Sequence, residues 1–358
     1  MAPLNRVRCC FTADSLPARM AQHGRLLTGI VLAAAVVVIL TSSWTMLASA
    51  SARSAGSPSW HHLNPTTAPG ARDRFGMAFD PMSNTTILFG GYNPNSLAYI
   101  YGDTWSYSGG NWTQLSPSSS PSARSNFVMV YDSAMQGIVL FGGYGASMGG
   151  YTELNDTWLW SHGTWKQLFP LKSPSPREIY GMAYDANNGK VVLFGGESAG
   201  TVLNDTWVFN GSTWTSVAGP AGMPARKYPS MAYDAINHEV VLVGGQSQAS
   251  LGVSGTWAFH GKAWTHVKVA SGPAPLALSM PATAENGSAL FFGGILPNGN
   301  FVKALWEFNS GAWHQLVYPH GPSVRMAGGL VYDPADGYML EFGGVNALGW
   351  LGDTWALY

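Results

Sequence analysis

Residues 177–214 read REIYGMAYDANNGKVVLFGGESAGTVLNDTWVFNGSTW, and the fold is decided there. GMAYD (181–185) is a short apolar strand, and DANNGK is a turn rich in residues that tolerate left-handed backbone. KVVLF (190–194) is β-branched and aromatic, the composition of a strand buried on both faces. TWVF (206–209) makes a third strand, NGS a tight hairpin connection, and TWTSV from Trp214 a fourth. The stretch is a four-stranded antiparallel meander.

Outward from it, the same meander recurs. Glycine pairs close an apolar run at Gly90-Gly91, Gly142-Gly143, Gly195-Gly196, Gly244-Gly245, Gly293-Gly294 and Gly343-Gly344, spaced by 52, 53, 49, 49 and 50 residues. A tryptophan follows each about a dozen residues later, usually as Asp-Thr-Trp. A lone meander cannot bury two apolar faces, so the sheets must stack on one another. Radial stacking of four-stranded sheets gives an all-β, six-bladed propeller. A β-sandwich would not need the same glycine pair and tryptophan six times over.

The apolar strand ending in Gly-Gly, the aromatic of strand three and the tryptophan opening strand four (Trp112, Trp165, Trp214, Trp264, Trp313) together resemble the kelch repeat. The resemblance covers roughly residues 60 to 358 and is specific for fold. For activity it is weak, because one fold hosts many functions. It implies a binding site on the face carrying the long loops. It also raises the galactose-oxidase-like copper enzymes, whose radical cofactor needs a cysteine cross-linked to a tyrosine. The only cysteines, Cys9 and Cys10, precede the repeats, so that chemistry is excluded.

The register predicts how the ring closes. After the sixth glycine pair, Asp353–Tyr358 supplies a third strand and no fourth, while Trp60-His61-His62-Leu63 matches Trp112-Thr113-Gln114-Leu115. Trp60 precedes Arg72 by 12 residues, as Trp112 precedes Arg124. Residues 60–63 are therefore expected as the outer strand of the sixth blade, which removes its open edges.

Residues 1–50 are of another kind. Arg6, Arg8, Arg19 and Arg25 precede the apolar run Leu26–Leu40 and small-x-small sites at 48–52. They form a signal peptide or, because 26–50 lacks charge, an N-terminal membrane anchor. Either reading leaves 51–59 as a linker and exports the 60–358 propeller, secreted or membrane-anchored. Of 18 basic and 19 acidic side chains the leader holds four and one, so the remainder carries a net charge of −4. With no basic stripe, nucleic-acid binding is not expected.

Site candidates cluster on the long-loop face. Arg72, Arg124, Arg177, Arg226 and Arg325 stand before strand one, and Asp103, Asp156, Asp205 and Asp353 open strand three. Blade four has Gly255 at the acidic position, and blade five replaces both partners, with Pro275 or Leu276 and with Ala304. Each arginine either clamps a loop carbonyl or its own aspartate, or joins an incomplete ring offering forked donors to a carboxylate-bearing ligand at the channel mouth. The longest two-to-three loops, 92–102 and 144–155, bring Tyr92, Tyr99, Tyr101, Tyr144 and Tyr151, suited to sugar or peptide contact or to packing their own loops. Glu341 occupies a strand-two position filled elsewhere by Leu88, Leu140, Leu193, Leu242 and Phe291; a carboxylate there must find a partner, for which His61 and His62 are candidates, or shift its pKa upward.

No catalytic residue is assigned. The histidines show no metal-ligand spacing, and no cofactor is expected. The recurring Asp80, Asp132, Asp185, Asp234 and Asp333 read as turn formers. The function expected is an extracytoplasmic module binding a glycan or an extracellular protein. The alternatives are a carbohydrate-active enzyme, such as a sugar epimerase or lyase, and a structural or adhesive surface protein.

Overall fold

The computed structural model describes residues 58–147, 150–219 and 222–358, and every regular element among them is a β-strand. The expectations of signal peptide or anchor concern residues outside this set. Each repeat forms one antiparallel meander whose first strand lies at the sheet edge: Gly76–Asp80, Val128–Asp132, Gly181–Asp185, Ser230–Asp234, Met280–Thr283 and Gly329–Asp333 in blades one to six. These inner strands pack against one another around a central channel of about 560 Å³, walled by small and apolar side chains such as Ala78, Val130, Ala183, Ala232 and Val331.

The sixth blade closes as the register predicts. Trp60–Leu63 pairs antiparallel with Thr354–Leu357, Trp60 opposite Leu357 and Leu63 opposite Thr354. The sheet order is then closing strand, Thr354–Leu357, Tyr338–Phe342, Gly329–Asp333. In blade two the long loop is itself sheet: its middle strands run on as Gly137–Ser147 and Gly150–Ser161, paired to Ser147 opposite Gly150 beyond a register shift between Phe141 and Gly143.

The repeat signature is a set of ties between neighbouring blades. The strand-four tryptophan packs under the preceding blade and donates its indole N–H to that blade's Asp-Thr-Trp or Gly-Thr-Trp threonine. The pairs are Trp112 to Thr354, Trp165 to Thr104, Trp214 to Thr157, Trp264 to Thr206 and Trp313 to Thr256, at 2.9–3.2 Å. Blade five has Leu305 where that threonine would stand, and the buried Trp60 Nε1 that should reach it has no hydrogen-bond partner.

The second glycine of each pair donates its N–H to the next blade's carbonyl at the arginine position, as Gly91 does to Arg124 O at 2.9 Å. The approach leaves no room for a side chain: a Cβ on Gly90, whose φ is +69°, would lie 2.5 Å from the same carbonyl. The recurrent aspartates do cap the first hairpin turn, Asp132 Oδ1 accepting from the N–H groups of Ala134 and Met135.

Candidate functional site

The five arginines do not form an open ring. All are buried, and in blades one, two, three and six the guanidinium grips its own blade's aspartate with both Nη atoms, at 2.6–2.9 Å. Nη1 also donates to the first glycine carbonyl of its blade, and Nε to the carbonyl two residues upstream. The aspartate accepts in addition the indole N–H of the tryptophan two residues on, at 2.6–2.7 Å. Burial pushes these carboxyls up, but the arginine's hydrogen bonds and charge outweigh it and hold them below the usual range. In these four blades the donors expected to face a ligand are spent on protein, so the geometry supports the clamp reading there; in blade four Arg226 keeps only its backbone acceptors and Nη2 is unpaired.

The channel mouth lies two residues further along each repeat. Arg74, Asn126, Ile179, Tyr228, Leu278 and Ala327, one per blade, line the channel, and all six have φ between +54° and +61°. For non-glycine residues that conformation costs on the order of 1–2 kcal/mol each. A closed hoop of backbone hydrogen bonds offsets it. Asn126 N–H donates to Arg74 O, Ile179 to Asn126, Tyr228 to Ile179, Leu278 to Tyr228, Ala327 to Leu278 and Arg74 back to Ala327, at 2.7–3.4 Å.

The side chains on this hoop and beside it differ between two arcs. Across blades one to four stand Asp73, Arg74, Asn126, Glu178, Lys227 and Tyr228; across blades five and six stand Ala277, Leu278, Met326 and Ala327. Lys227 pairs with Glu197, Asn126 Nδ2 donates to Glu178 at 2.6 Å, and Glu153 accepts the N–H of Ala199. Burial raises the Glu178 carboxyl; the Asn126 bond opposes this, and the charges of Glu153 and Glu197 add to it. Asp73 is fully buried with neither oxygen hydrogen-bonded, and its nearest cation is Arg74 Nε at 3.5 Å. Burial, only partly countered by Arg74 and by the nearby Trp350 indole, pushes it up to about 6. The polar arc thus sets four acids against two bases.

The five candidate tyrosines do not converge on one point. Tyr101 lies under the Arg72 guanidinium, 3.9 Å from its ring centre, and packs the clamp. Tyr92 stands edge-on to Trp350 with Arg74 5.6 Å from its ring, so it belongs to the polar arc. Tyr144 and Tyr151 stack at 6.3 Å across the blade-two hairpin, and Tyr99 is exposed on the short hairpin of blade one. Exposed Leu97, Leu251 and Leu348 lie on the same face. Glu341 is partnered by neither histidine: its carboxylate meets Arg325 Nη1 at 3.1 and 3.2 Å, while His62 packs on Trp355 and His61 on Tyr358. Among the described residues no three His, Cys, Asp or Glu side chains converge as a metal site.

All six meanders carry the glycine pair and the strand-four tryptophan in fixed places, and five of them carry the buried arginine. A family model, the KLHDC2/KLHL20/DRC7 Kelch-repeats domain, matches residues 53–222. The protein is a kelch-repeat β-propeller. The match takes in the closing strand and blades one to three. A comparison with curated proteins found none that matches. A kelch propeller points to a protein-interaction module. The kelch signature also explains why the mouth escaped the sequence reading. Its six hoop positions share a backbone conformation but no residue type, so only their constant offset of two from the arginine position marks them.

Proposed function

We propose that this kelch propeller is an exported interaction module that takes a protein segment across the mouth of its channel. The observation that carries the reading is the division of the mouth into an acidic arc and an apolar arc around a fixed hoop. Four carboxylates against two cations favour a basic side chain on the ligand. Leu278, Met326 and Ala327 opposite them favour an apolar neighbour on the same segment. Exposed Leu97, Tyr99, Tyr151, Leu251 and Leu348 extend the apolar contact outward to the loop tips. A glycan ligand draws its support from the Tyr144–Tyr151 stack alone.

The test is selection from a random peptide display library on the whole chain, with a glycan array in parallel. Peptides pairing Lys or Arg with apolar residues are expected, and binding should fall at least about fivefold in Glu178→Gln, the loss of one charge-assisted contact. Peptides indifferent to Glu178→Gln and Met326→Asp, or sugars bound where no peptide is, would refute the reading.

A further inference from the structure

Blade four holds an arginine clamp without its acid. Arg226 is fully buried and keeps the pose of its counterparts, Nη1 donating to Gly244 O at 2.9 Å and Nε to Pro224 O at 3.3 Å. Where the others meet an aspartate it meets Gly255, and Nη2 has no hydrogen-bond partner. Among the described residues no carboxylate pairs with it. Burial pulls its pKa down to about 10, so it remains cationic at neutral pH.

The indole that binds the acid in other blades is present, and together with His266 it closes over the acid's position. A Cβ placed on Gly255 would stand 3.3 Å from Trp257 Nε1 and 3.4 Å from His266 Nε2. Trp257 is the counterpart of the tryptophans whose indoles bind the aspartate in four other blades. Gly255 and Gly244 also form part of the wall of a pocket of about 220 Å³, with Val243, Val253, Val269 and Ser271–Pro275, and Arg226 and Trp257 lie behind that wall. In the intact blades the clamped aspartate side chain is 19–34 % exposed, so that position faces water there.

We infer that blade four binds a carboxylate from solution, that of a small organic acid, in the place of the missing aspartate. With the Trp257 and His266 rings shifted off Gly255, its oxygens take the Arg226 fork and the Trp257 indole N–H, and its carbon chain leads out past Gly255 into the adjoining pocket between Val243, Val253 and Pro275. The four intact clamps display the bound geometry, with a planar fork on two oxygens and an indole N–H on one of them. The site is independent of the channel mouth and of the ligand proposed there.

The experiment compares acetate, its neutral isostere acetamide and the blocked peptide acetyl-Gly-Asp-Gly-amide on the whole chain, at constant ionic strength, by thermal unfolding and by saturation-transfer NMR. Acetate is expected to raise the unfolding midpoint by about 2 °C for each tenfold in concentration above its Kd, and acetamide to leave it unmoved. Arg226→Met should abolish the acetate response. Gly255→Asp supplies the acid from the chain; φ +104° strains any side chain there, so its readout is loss of the acetate response rather than its own stability. Acetate bound more tightly than the peptide supports a free acid, and the reverse supports an acidic side chain of a partner in the same carboxylate site. Equal effects of acetate and acetamide, or an acetate response kept in either folded variant, would overturn the site.

Discussion

Blades four and six carry the same buried arginine in opposite electrostatic company. Arg325 meets two carboxylates, Asp353 and the fully buried Glu341, whereas Arg226 meets none. Both guanidiniums keep the same bonds to the glycine-pair carbonyl and to the carbonyl two residues upstream. The pose of this arginine is therefore set by backbone acceptors, and the carboxylates are added to a geometry that stands without them. A buried cation needs compensation to be comfortable. Blade six over-supplies it, and blade four leaves it to the glycine carbonyl.

The largest difference should appear on removing the cation. Arg325→Met strands Glu341 and Asp353 and is expected to cost about 3–5 kcal/mol in urea unfolding. Arg226→Met removes a charge that has no partner and should be neutral or stabilising by about 1 kcal/mol. Equal losses would break the comparison.

A reversed case sharpens it. Asp73 is a buried acid with one loosely held base, its pKa raised to about 6 from the usual carboxyl range. A raised folded-state pKa means stability present below about pH 4 and lost as pH rises through about 6. The loss should saturate near 3 kcal/mol, two units at 1.36 kcal/mol each. Asp73→Asn should flatten that slope, and a wild-type profile flat from pH 4 to 7 would contradict the burial argument.

Glu341→Leu gives blade six the residue type that other blades carry in strand two. Burial pushes the Glu341 carboxyl up, against the pull of Arg325, so stability should fall as pH rises above the ordinary carboxyl range, and the leucine variant should lose that fall. With Asp353 still clamped, its stability at pH 7 should lie within about 1 kcal/mol of wild type or above it. The smallest effect concerns the ties between blades. Thr157→Val removes the acceptor of Trp214 Nε1 and should cost about 1 kcal/mol, because the buried indole N–H is left unpaired as Trp60 Nε1 already is.

The fold was legible because each recurring residue answers to a contact repeated from blade to blade. The glycine pair fits under a neighbour's carbonyl, the threonine receives a neighbour's indole, and a shared register let Trp60–Leu63 be assigned to blade six from sequence spacing. The joint loss of arginine and aspartate in blade five was legible for the same reason: the two are partners. The partner of Glu341 was misread because Arg325 lies 16 residues away in sequence, and only the sheet brings the two together. The mouth was illegible because its common property is a φ angle shared by Arg74, Ile179 and Ala327 alike, which no side chain announces.

The hoop at that mouth has a direction. All six N–H groups donate to the preceding blade, so the peptide dipoles follow one another around the circle and their in-plane components cancel. A hydrogen-bonded chain without ends has no weakest terminal link, and each bond polarises the next. It asks nothing of the side chains it carries. The mouth is thus a socket whose rim can be rewritten one residue at a time, with the frame that holds it left unchanged.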